Sequence, residues 1–310
     1  MSPAVDVTVS IVNHDNREAV LACLRCLRAD TQRKAVLQII VVDNASSDGS
    51  ASAIRESFPS VELIQQQLRH GFGANHNTAL RLATGRHVLL LNDDTLVHPG
   101  AIDALARYLD EHPGVALAAP RVVDRADRTQ ASAWALPRPA LDALGALTLG
   151  RRPRPQSGGA DPRPVGWAMG CALLARRASL LEVEGFDESY FMYSEEIDLA
   201  RRLADRGLQA HWVPSATVLH HGQVSTGGHD SAPRAVEMAR SRRAYWRRHY
   251  SPPGRLVARA SVSIEFLLLS LSAVARGRSG RAFWIQARGC WTEVPLAGLR
   301  EQAAKWNAGL

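Results

Sequence analysis

Two pairs of adjacent acidic residues are the side chains of this sequence best suited to chemistry. Asp93 and Asp94 follow a short apolar run, and Glu195 and Glu196 follow the aromatic-rich residues 190–193. Neighbouring carboxylates at the end of a buried strand repel each other unless a cation or hydrogen-bond donors satisfy them. Because Mg²⁺ and Mn²⁺ prefer carboxylate and phosphate oxygens, the aspartate pair predicts either a divalent-metal site holding a diphosphate or a solvated turn.

The glutamate pair has two interpretations of its own. It precedes a helix predicted over 199–206, and acidic residues stabilise a helix N-terminus. A glutamate in a partly dry pocket is equally suited to general-base catalysis. Asp43 and the pair His220-His221 are also placed at predicted strand ends. Asp43 is suited to bind a base or ribose or to form an Asx turn, and the histidines to bind metal or phosphate or to be structural.

These polar groups require an ordered framework of strands and helices. Strand patterns occur at 5–12, 36–42, 61–65, 87–91 and 115–119, and helical patterns occur at 16–28, 50–57, 74–83 and 99–111. This alternation predicts an α/β domain with a mainly parallel sheet, whose ligands bind beyond the carboxyl ends of the strands. The pattern is lost over 124–164, where the Pro/Gly/Arg-rich stretch 152–164 is predicted to be mobile. The loop around 150–164 is expected to close over a bound substrate and exclude water. Order resumes at 165, and 209–213 and 216–219 are predicted as two short strands.

Composition separates the chain into two parts. Apolar residues make up 46% and charged residues 22% of the 310 residues, which excludes wholesale disorder. Residues 231–310 hold 14 basic and 4 acidic side chains, a balance of +10, whereas the remainder is slightly acidic. A basic tail predicts a polyanionic partner, either nucleic acid or an anionic membrane.

Several features point to a cytosolic protein. The N-terminus lacks a signal-peptide pattern, and the most apolar stretch, 262–275, contains Glu265 and is too short to span a membrane. Four cysteines are too few for a disulfide scaffold. Cys23 and Cys26 are spaced as buried thiols on one helix face rather than as part of a zinc site.

Seven motifs follow one another in order over about residues 5–228. They are VSIVNHD, VVDNASSDGS, GFGANHNTAL, LLLNDDT, VGWAMGCALLARR, GFDESYFMYSEEIDLARRL and VLHHGQVS. This ordered set resembles the family 2 glycosyltransferases of the GT-A fold, and within them the bacterial rhamnosyltransferase-like branch. The resemblance implies an α/β domain that binds a nucleotide-diphospho-sugar, and an inverting glycosyl transfer.

The resemblance also implies roles for individual residues. It matches Asp94 and His220 to a Mg²⁺ or Mn²⁺ site, Glu196 to the catalytic base with Glu195 as a competitor, and Trp167 and Gly170 to the acceptor side. The implied donor-binding residues are Asp43, Asn44, Arg69, Asn77, Asn92 and Asp93. The sequence departs from the family pattern at the base, a Glu where Asp is commoner, and at Arg69, where many relatives carry Asn. An arginine there is able to pair with the diphosphate.

The tail fits an enzyme with a lipid-linked acceptor. Residues 240–249 interleave arginines with Tyr245 and Trp246, and 261–275 offer an apolar face, a combination typical of a helix lying on an anionic membrane. The predicted organisation is a GT-A domain over 1–230, with a donor half at 1–124 and an acceptor half at 165–230, followed by a basic helical membrane-associating extension over 231–310.

The predicted function is the transfer of a sugar, L-rhamnose from dTDP-rhamnose, to a lipid-linked or polysaccharide acceptor in cell-wall or surface glycan synthesis. Its predicted location is the inner face of the cell membrane, on anionic lipid and without nucleic acid, and a homodimer is left open. The alternatives are another donor sugar, galactofuranose or N-acetylhexosamine, and a nucleic-acid-binding protein using the basic tail. A Rossmann dehydrogenase is disfavoured because no G-x-G-x-x-G follows the first strand.

Overall fold

The computed structural model describes residues 4–31, 33–147, 155–221 and 231–309. They divide into two compact units. The first, called here the sheet unit, takes in the described residues of Met1–Ala135, Pro155–Asp187 and Glu196–Ser225. The second, the helical unit, takes in those of Leu136–Arg154, Glu188–Glu195 and Thr226–Leu310. The boundary expected at residue 230 stays a prediction.

The secondary-structure elements alternate in the first half of the chain and become helical at its end. They run in the order β1 (Val7–Asn13), α1 (Arg17–Ala29), β2 (Leu37–Asp43), α2 (Ser50–Ser57), β3 (Glu62–Gln65), α3 (Phe72–Leu82), β4 (His87–Asn92), β5 (Thr95–Val97), α4 (Ala101–Glu111), β6 (Val115–Val123), β7 (Ala133–Trp134), α5 (Pro139–Leu147), β8 (Arg163–Val165), β9 (Trp167–Ala168), β10 (Ala172–Arg176), α6 (Arg177–Glu182), α7 (Glu195–Ala204), β11 (Gln209–His220), α8 (Ala232–His249), α9 (Pro252–Ala275), α10 (Arg281–Gly289) and α11 (Leu299–Asn307).

A nine-stranded sheet organises the sheet unit, in the order β3-β2-β1-β4-β10-β6-β11-β5, with β8 added beside β11. The strands β3, β2, β1 and β4 are parallel, which confirms the expected α/β fold with its parallel sheet. The apolar runs of β2 and β4 are buried because helices cover both faces of such a sheet. The main core packs α1 and α4 against one face, with Leu24 and Leu105 among its fully buried side chains.

The register of the parallel strands aligns the ends that carry the polar motifs. Asn13 at the end of β1 pairs with Asp43 at the end of β2, and Val12 pairs with Asn92 at the end of β4. The expected clustering of these ends at one edge of the sheet is therefore a direct result of the strand pairing.

Two expectations about residues 124–219 are wrong in detail. Residues 209–213 and 216–219 belong to one strand, β11, whose register shifts between Val213 and Thr217. Pro214 lies in that irregularity, the position in a sheet where a proline is tolerated. The stretch 124–164 also contains regular elements, β7, α5 and β8, around residues 148–154, which lie outside the described residues.

The helical unit is built from α5 and α8–α11. Helix α9 packs against α5 and α10, and Gly254 is in close contact with α5, because a Cβ there would lie 2.9 Å from Pro139 Cγ. Buried Glu237 on α8 accepts a hydrogen bond from Arg240 at 3.0 Å, and Arg240 also pairs with Glu301 of α11 at 2.8 Å. This ion-pair network joins the last helix to α8.

Helix α9 is longer than the apolar stretch expected at 262–275. It spans 24 residues, and among the described helices it alone is long and apolar enough to cross a membrane on length and composition. Of its most apolar window, 39% is buried inside the protein. The expectation that no segment reaches membrane-spanning length is therefore wrong for α9, which has the necessary length and composition.

Candidate active site

The aspartate pair lies directly after β4, where it is nearly inaccessible to solvent. Asp93 and Asp94 are 6% and 5% exposed. Burial raises the pKa of Asp93 to about 7, and the charge of Asp94 adds to the effect. Asn16 opposes it by donating a hydrogen bond from Nδ2 to Asp93 Oδ1 at 3.2 Å. Two carboxylates are thus held in a place that favours a compensating positive charge.

Pairing between β5 and β11 brings His220 to the aspartates. Thr95 is opposite His220 in this antiparallel pair, and the His221 amide donates to the Asp94 carbonyl oxygen at 3.1 Å. His220 Nε2 consequently lies 3.4 Å from Asp94 Oδ1. Two side chains that are far apart in sequence are adjacent because β11 returns along the edge strand β5.

The donor set at this position fits a divalent cation. Asp94 Oδ1 and His220 Nδ1 are buried without a hydrogen-bond partner, and a carboxylate beside an imidazole suits Mn²⁺ or Mg²⁺ when phosphate and water complete the shell. Among the described residues, no group of three or more His, Cys, Asp or Glu side chains is gathered closely enough to enclose a metal by itself. A cation here therefore needs ligands from a bound substrate.

Asp43 and Asn44 are held by protein groups around the end of β2. The two oxygens of fully buried Asp43 accept from Asn13 Nδ2 at 2.8 Å and from the Ser46 amide, three residues further on, at 3.2 Å. Asn44 makes a two-point contact with the His70 backbone at 2.8 and 3.1 Å. These bonds fix the β2–α2 turn against the segment before α3.

Arg69 and Asn77, two expected donor-binding residues, have different surroundings. Arg69 pairs with Asp15 at 3.1 Å beside the same turn, which places a guanidinium near the strand ends. Asn77 is buried in α3, where its amide exchanges two hydrogen bonds of 2.9 Å with the Phe186 backbone. The Asn77 contacts are those of a packing residue, and its donor-binding role stays a prediction.

The two glutamates open α7 and differ in accessibility. Glu195 is 3% exposed, whereas Glu196 is half-buried. Burial raises the pKa of Glu196, and the Gly170 amide opposes the shift by donating a hydrogen bond to its carboxylate. Glu196 Oε2 has no hydrogen-bond partner. Of the two residues, Glu196 is the more exposed overall, and its role as the base stays a prediction.

Cys171 connects the aspartate and glutamate regions. Burial raises the pKa of its thiol to about 12, and the negative charges of Asp94 and Glu196 both contribute. A contribution from each carboxylate means that both lie near this one sulfur atom. The structure therefore brings the expected metal ligand and the expected base into the neighbourhood of Cys171.

The expected acceptor-side residues lie next to aromatic rings. Trp167 in β9 stacks on Trp134 in β7 with ring centroids 4.6 Å apart, and both are partly exposed. Gly170 lies against Phe72, whose ring carbons would be 3.2 Å from a Cβ at this position. A larger residue at Gly170 would push on the Phe72 ring beside the backbone that binds Glu196.

Sequence reasoning missed three residues of this region. Asn13 and Asn16 follow the first strand, and Trp134 lies in the stretch where the pattern was lost. The asparagines had a usable signal, since they stand at a strand end of the same parallel sheet as the aspartates. Nothing in the sequence pairs Trp134 with Trp167, because the contact depends on the two-stranded β7–β9 pairing.

Acidic and amide side chains lie at the parallel strand ends of the sheet, and a buried aspartate pair lies beside a histidine. This arrangement is typical of α/β enzymes that act on a diphosphate-containing substrate. The comparisons with known proteins agree. The sequence model of glycosyl transferase family 2 matches residues 8–183. The chain therefore belongs to glycosyl transferase family 2, as its motifs predict.

Two of the relatives that the chain resembles within this family are rhamnosyltransferases. The chain is 30% identical, over 92% of its length and 98% of the relative's, to the N-acetylglucosaminyl-diphospho-decaprenol L-rhamnosyltransferase of Mycobacterium tuberculosis. It is 26% identical to the rhamnosyltransferase WbbL of Escherichia coli over 69% of this chain and 83% of that protein. A mannosyltransferase from Pyrobaculum calidifontis, solved in complex with GDP-Man and Mn²⁺, has the same fold with a TM-score of 0.58 at 19% identity, covering 99% of this chain and 88% of that one.

Proposed function

We propose that this enzyme transfers L-rhamnose from dTDP-rhamnose to a polyprenyl-diphosphate-linked saccharide in cell-wall glycan synthesis. The observation that carries the proposal is the 30% identity to a rhamnosyltransferase along nearly the full length of both chains. The similarity extends over 92% of the chain, well beyond the residues 8–183 that the family model matches. The acceptor by analogy is an N-acetylglucosaminyl-diphospho-polyprenol.

The donor is bound at the strand ends of the sheet unit. Asn92 and Asp93 lie at the end of β4 for contact with the ribose or diphosphate, and Asp94 and His220 hold Mg²⁺ or Mn²⁺. When bound, the cation neutralises the charge that develops on the nucleoside diphosphate as it leaves. Arg69, already close to the β2–α2 turn, adds a cation suited to the same phosphates.

Glu196 acts as the general base. Its carboxylate accepts the proton of the acceptor hydroxyl while that oxygen attacks the anomeric carbon, and the bond to the diphosphate breaks on the opposite face. One displacement of this kind inverts the anomeric configuration. The raised pKa of Glu196 strengthens it as a proton acceptor, and the Gly170 hydrogen bond holds the carboxylate in place.

The reaction takes place at the cytoplasmic face of the membrane. A polyprenyl-linked acceptor is confined to the bilayer, so an enzyme bound to that surface meets it in two dimensions. The basic balance of +10 in residues 231–310 supports attraction to anionic lipid.

Turnover with purified donors tests the proposal. The full chain is incubated with decaprenyl-diphospho-N-acetylglucosamine, Mg²⁺ or Mn²⁺, and in turn dTDP-L-rhamnose, UDP-galactofuranose or UDP-N-acetylglucosamine. Rhamnose transfer that stops when EDTA removes the cation is the expected result. Transfer from another donor with none from dTDP-rhamnose overturns the specificity, and full activity in EDTA overturns the metal site.

A further inference from the structure

Helix α9 presents a continuous apolar surface to solvent, called here the α9 face. Seven large aliphatic side chains form it, each between 37% and 67% exposed. They are Leu256, Val257, Ile264, Leu267, Leu268, Leu271 and Val274. Their three- and four-residue spacings place them on one side of the helix. Exposed aliphatic residues concentrated in this way mark an interaction surface rather than incidental exposure.

The opposite side of α9 is used for packing within the helical unit. Ala258, Val262, Phe266 and Ala273 are buried there, and so is the carboxyl-bearing Glu265. Crossing a membrane would expose Glu265 to lipid and separate α9 from α5 and α10. The packed face therefore favours a helix that lies in the plane of the interface, with only the α9 face in contact with lipid.

Exposed tryptophans and arginines occur in the segment that follows α9. Trp291 is 46% exposed and donates from Nε1 to Ser263 Oγ at 2.7 Å, which fixes its ring alongside the helix. Trp284 is equally exposed, and the Arg288 guanidinium lies 5.6 Å from its ring centroid. Exposed Arg276, Arg278 and Arg281 follow the end of α9. Exposed tryptophans and arginines close in sequence to an exposed aliphatic helix face are suited to the headgroup layer of an anionic bilayer.

We infer that the α9 face, in a segment 231–310 with a balance of +10, docks the protein on an anionic lipid bilayer. The charges decide between the bilayer and a second copy of this chain. Glu265, the one acidic residue of α9, is buried, so the α9 face of a second copy offers the arginines no acidic partner, whereas anionic headgroups neutralise them. This docking surface rests on the proposed membrane location. Its test measures vesicle binding and not turnover, so a negative result would leave the proposed glycosyl transfer unaffected.

Co-sedimentation with vesicles of phosphatidylglycerol and phosphatidylcholine tests the docking. The triple variant Leu267→Gln/Leu271→Gln/Val274→Gln is expected to bind on the order of 100-fold more weakly, since three apolar side chains no longer enter the interface. Leu82→Gln/Leu181→Gln is the matched control, because these leucines are 45% and 47% exposed in the sheet unit. Arg276→Ala/Arg278→Ala is expected to lose about fivefold per arginine at low salt and to leave the salt-resistant binding in place.

Three results would overturn the docking surface. One is equal vesicle binding by the triple variant and its control. Another is a dimer in sedimentation that the triple variant dissociates, without vesicle binding, which assigns the face to a second copy. The third is salt-sensitive binding to nucleic acid with no binding to anionic vesicles.

An independent observation concerns the segment Glu188–Glu195, called here the strap, which belongs to the helical unit and leads into Glu196. Two of its residues, Tyr193 and Ser194, have φ values of 69° and 70°, the left-handed region that side-chain-bearing residues rarely adopt. Such a conformation persists only where its surroundings hold it. The strained residues immediately precede the two glutamates.

Helices α8 and α11 provide the contacts that hold the strap. Buried Ser241 donates from Oγ to the Met192 carbonyl oxygen at 2.8 Å. Arg300 donates to the Ser189 carbonyl oxygen at 2.7 Å. The Arg234 guanidinium lies 5.5 Å from the Tyr193 ring centroid. We propose that Ser241 and Arg300 are positioning residues that set the start of α7 and, through the chain, the carboxylate of the base.

This second proposal rests on the proposed role of Glu196, so its test has a readout that does not need activity. Ser241→Ala and Arg300→Ala are each expected to lower kcat about fivefold, with donor KM unchanged. Arg300→Lys keeps a donor at this position, so its kcat should fall less than that of Arg300→Ala. Backbone amides of 188–195 should exchange with solvent faster in both alanine variants. Ser270→Ala, which removes a serine bond to the Gly280 carbonyl oxygen, and Lys305→Ala on α11 are controls without contact to the strap.

The two readouts separate the outcomes. Unchanged exchange in the strap for both alanine variants overturns the positioning proposal, as does an equal effect of the control variants. Faster exchange with an unchanged kcat also overturns it, since the strap would then be held without consequence for the base. An inactive wild-type chain with faster exchange in the variants contradicts the proposed function alone.

Discussion

Buried acidic side chains in the two units have opposite kinds of neighbour. Fully buried Glu237 in the helical unit lies among arginines: its Oε2 accepts from Arg240 at 3.0 Å and from the Arg300 backbone amide at 3.3 Å, and Arg300 Nε lies 3.8 Å from its Oε1. Asp94 in the sheet unit is almost as buried, but its neighbours are a second carboxylate, Asp93, and His220 Nε2 at 3.4 Å. Guanidinium groups of the fold itself compensate the charge of Glu237, whereas two adjacent buried acids beside one imidazole indicate a site that a cation or substrate completes.

The largest effect on turnover is expected at Asp94. Asp94→Ala should lower turnover on the order of 10³-fold, because the leaving diphosphate loses its cation. Folding stability should stay equal or rise, since the repulsion between Asp93 and Asp94 is removed. Turnover and thermal unfolding measured on the same sample check both halves. A large fall in unfolding temperature would show that Asp94 is structural and would remove the contrast with Glu237.

The next effect concerns the base. Glu196→Gln keeps the shape and hydrogen bonding of the side chain and removes its proton acceptor, so kcat should fall by about 10²-fold or more. Affinity for the nucleotide sugar with Mn²⁺, measured by calorimetry, should change little. Glu195→Gln is the matched control at the neighbouring position. If that variant is the inactive one, the roles of the two glutamates are exchanged.

At Glu237 the expected loss is in stability rather than chemistry. Glu237→Gln should lower the free energy of unfolding by about 2 kcal/mol, since hydrogen bonds to a charged group are weakened within a buried network. Denaturant unfolding measures the change. A smaller loss than that of Asp94→Ala would reverse the comparison between the two acids.

The smallest effect is a displacement of the pH profile. Glu196 must be deprotonated to accept a proton, and burial raises its pKa above the ordinary glutamate value. Activity should therefore fall as the pH drops through this raised pKa, at a higher pH than for an ordinary glutamate. The acid limb of kcat against pH measures it. An acid limb at or below the ordinary glutamate value contradicts the assignment of a buried base.

The features of this fold that the sequence predicts are those that depend on residues close together in the chain. The bounds predicted for α2 are those observed, and its start is defined locally, because Gly49 adopts the left-handed conformation at the end of the polar turn. The edge of the sheet where Asp43 and Asn92 cluster also follows from strand order alone. The roles given to these residues within that edge remain predictions.

What sequence could not supply is set by long-range pairing. The continuity of β11 through Pro214 depends on its neighbours β6 and β5, which hold both halves of the strand. The nearness of His220 to Asp94 has the same origin. Helix α9 begins ten residues before the apolar stretch at 262, because Ser251 caps it and prolines are tolerated in its first turn.

The cysteines have a practical consequence for labelling. Cys23, Cys171 and Cys290 are buried, and half-buried Cys26 directs its thiol to the Val97 carbonyl oxygen at 3.1 Å. Burial raises the pKa of Cys26 as well, so little reactive thiolate is present near neutral pH. A single cysteine introduced on the α9 face, for example Leu271→Cys, should therefore react selectively with a maleimide fluorophore. Its emission would then report the depth of the helix in a bilayer without removal of any native cysteine.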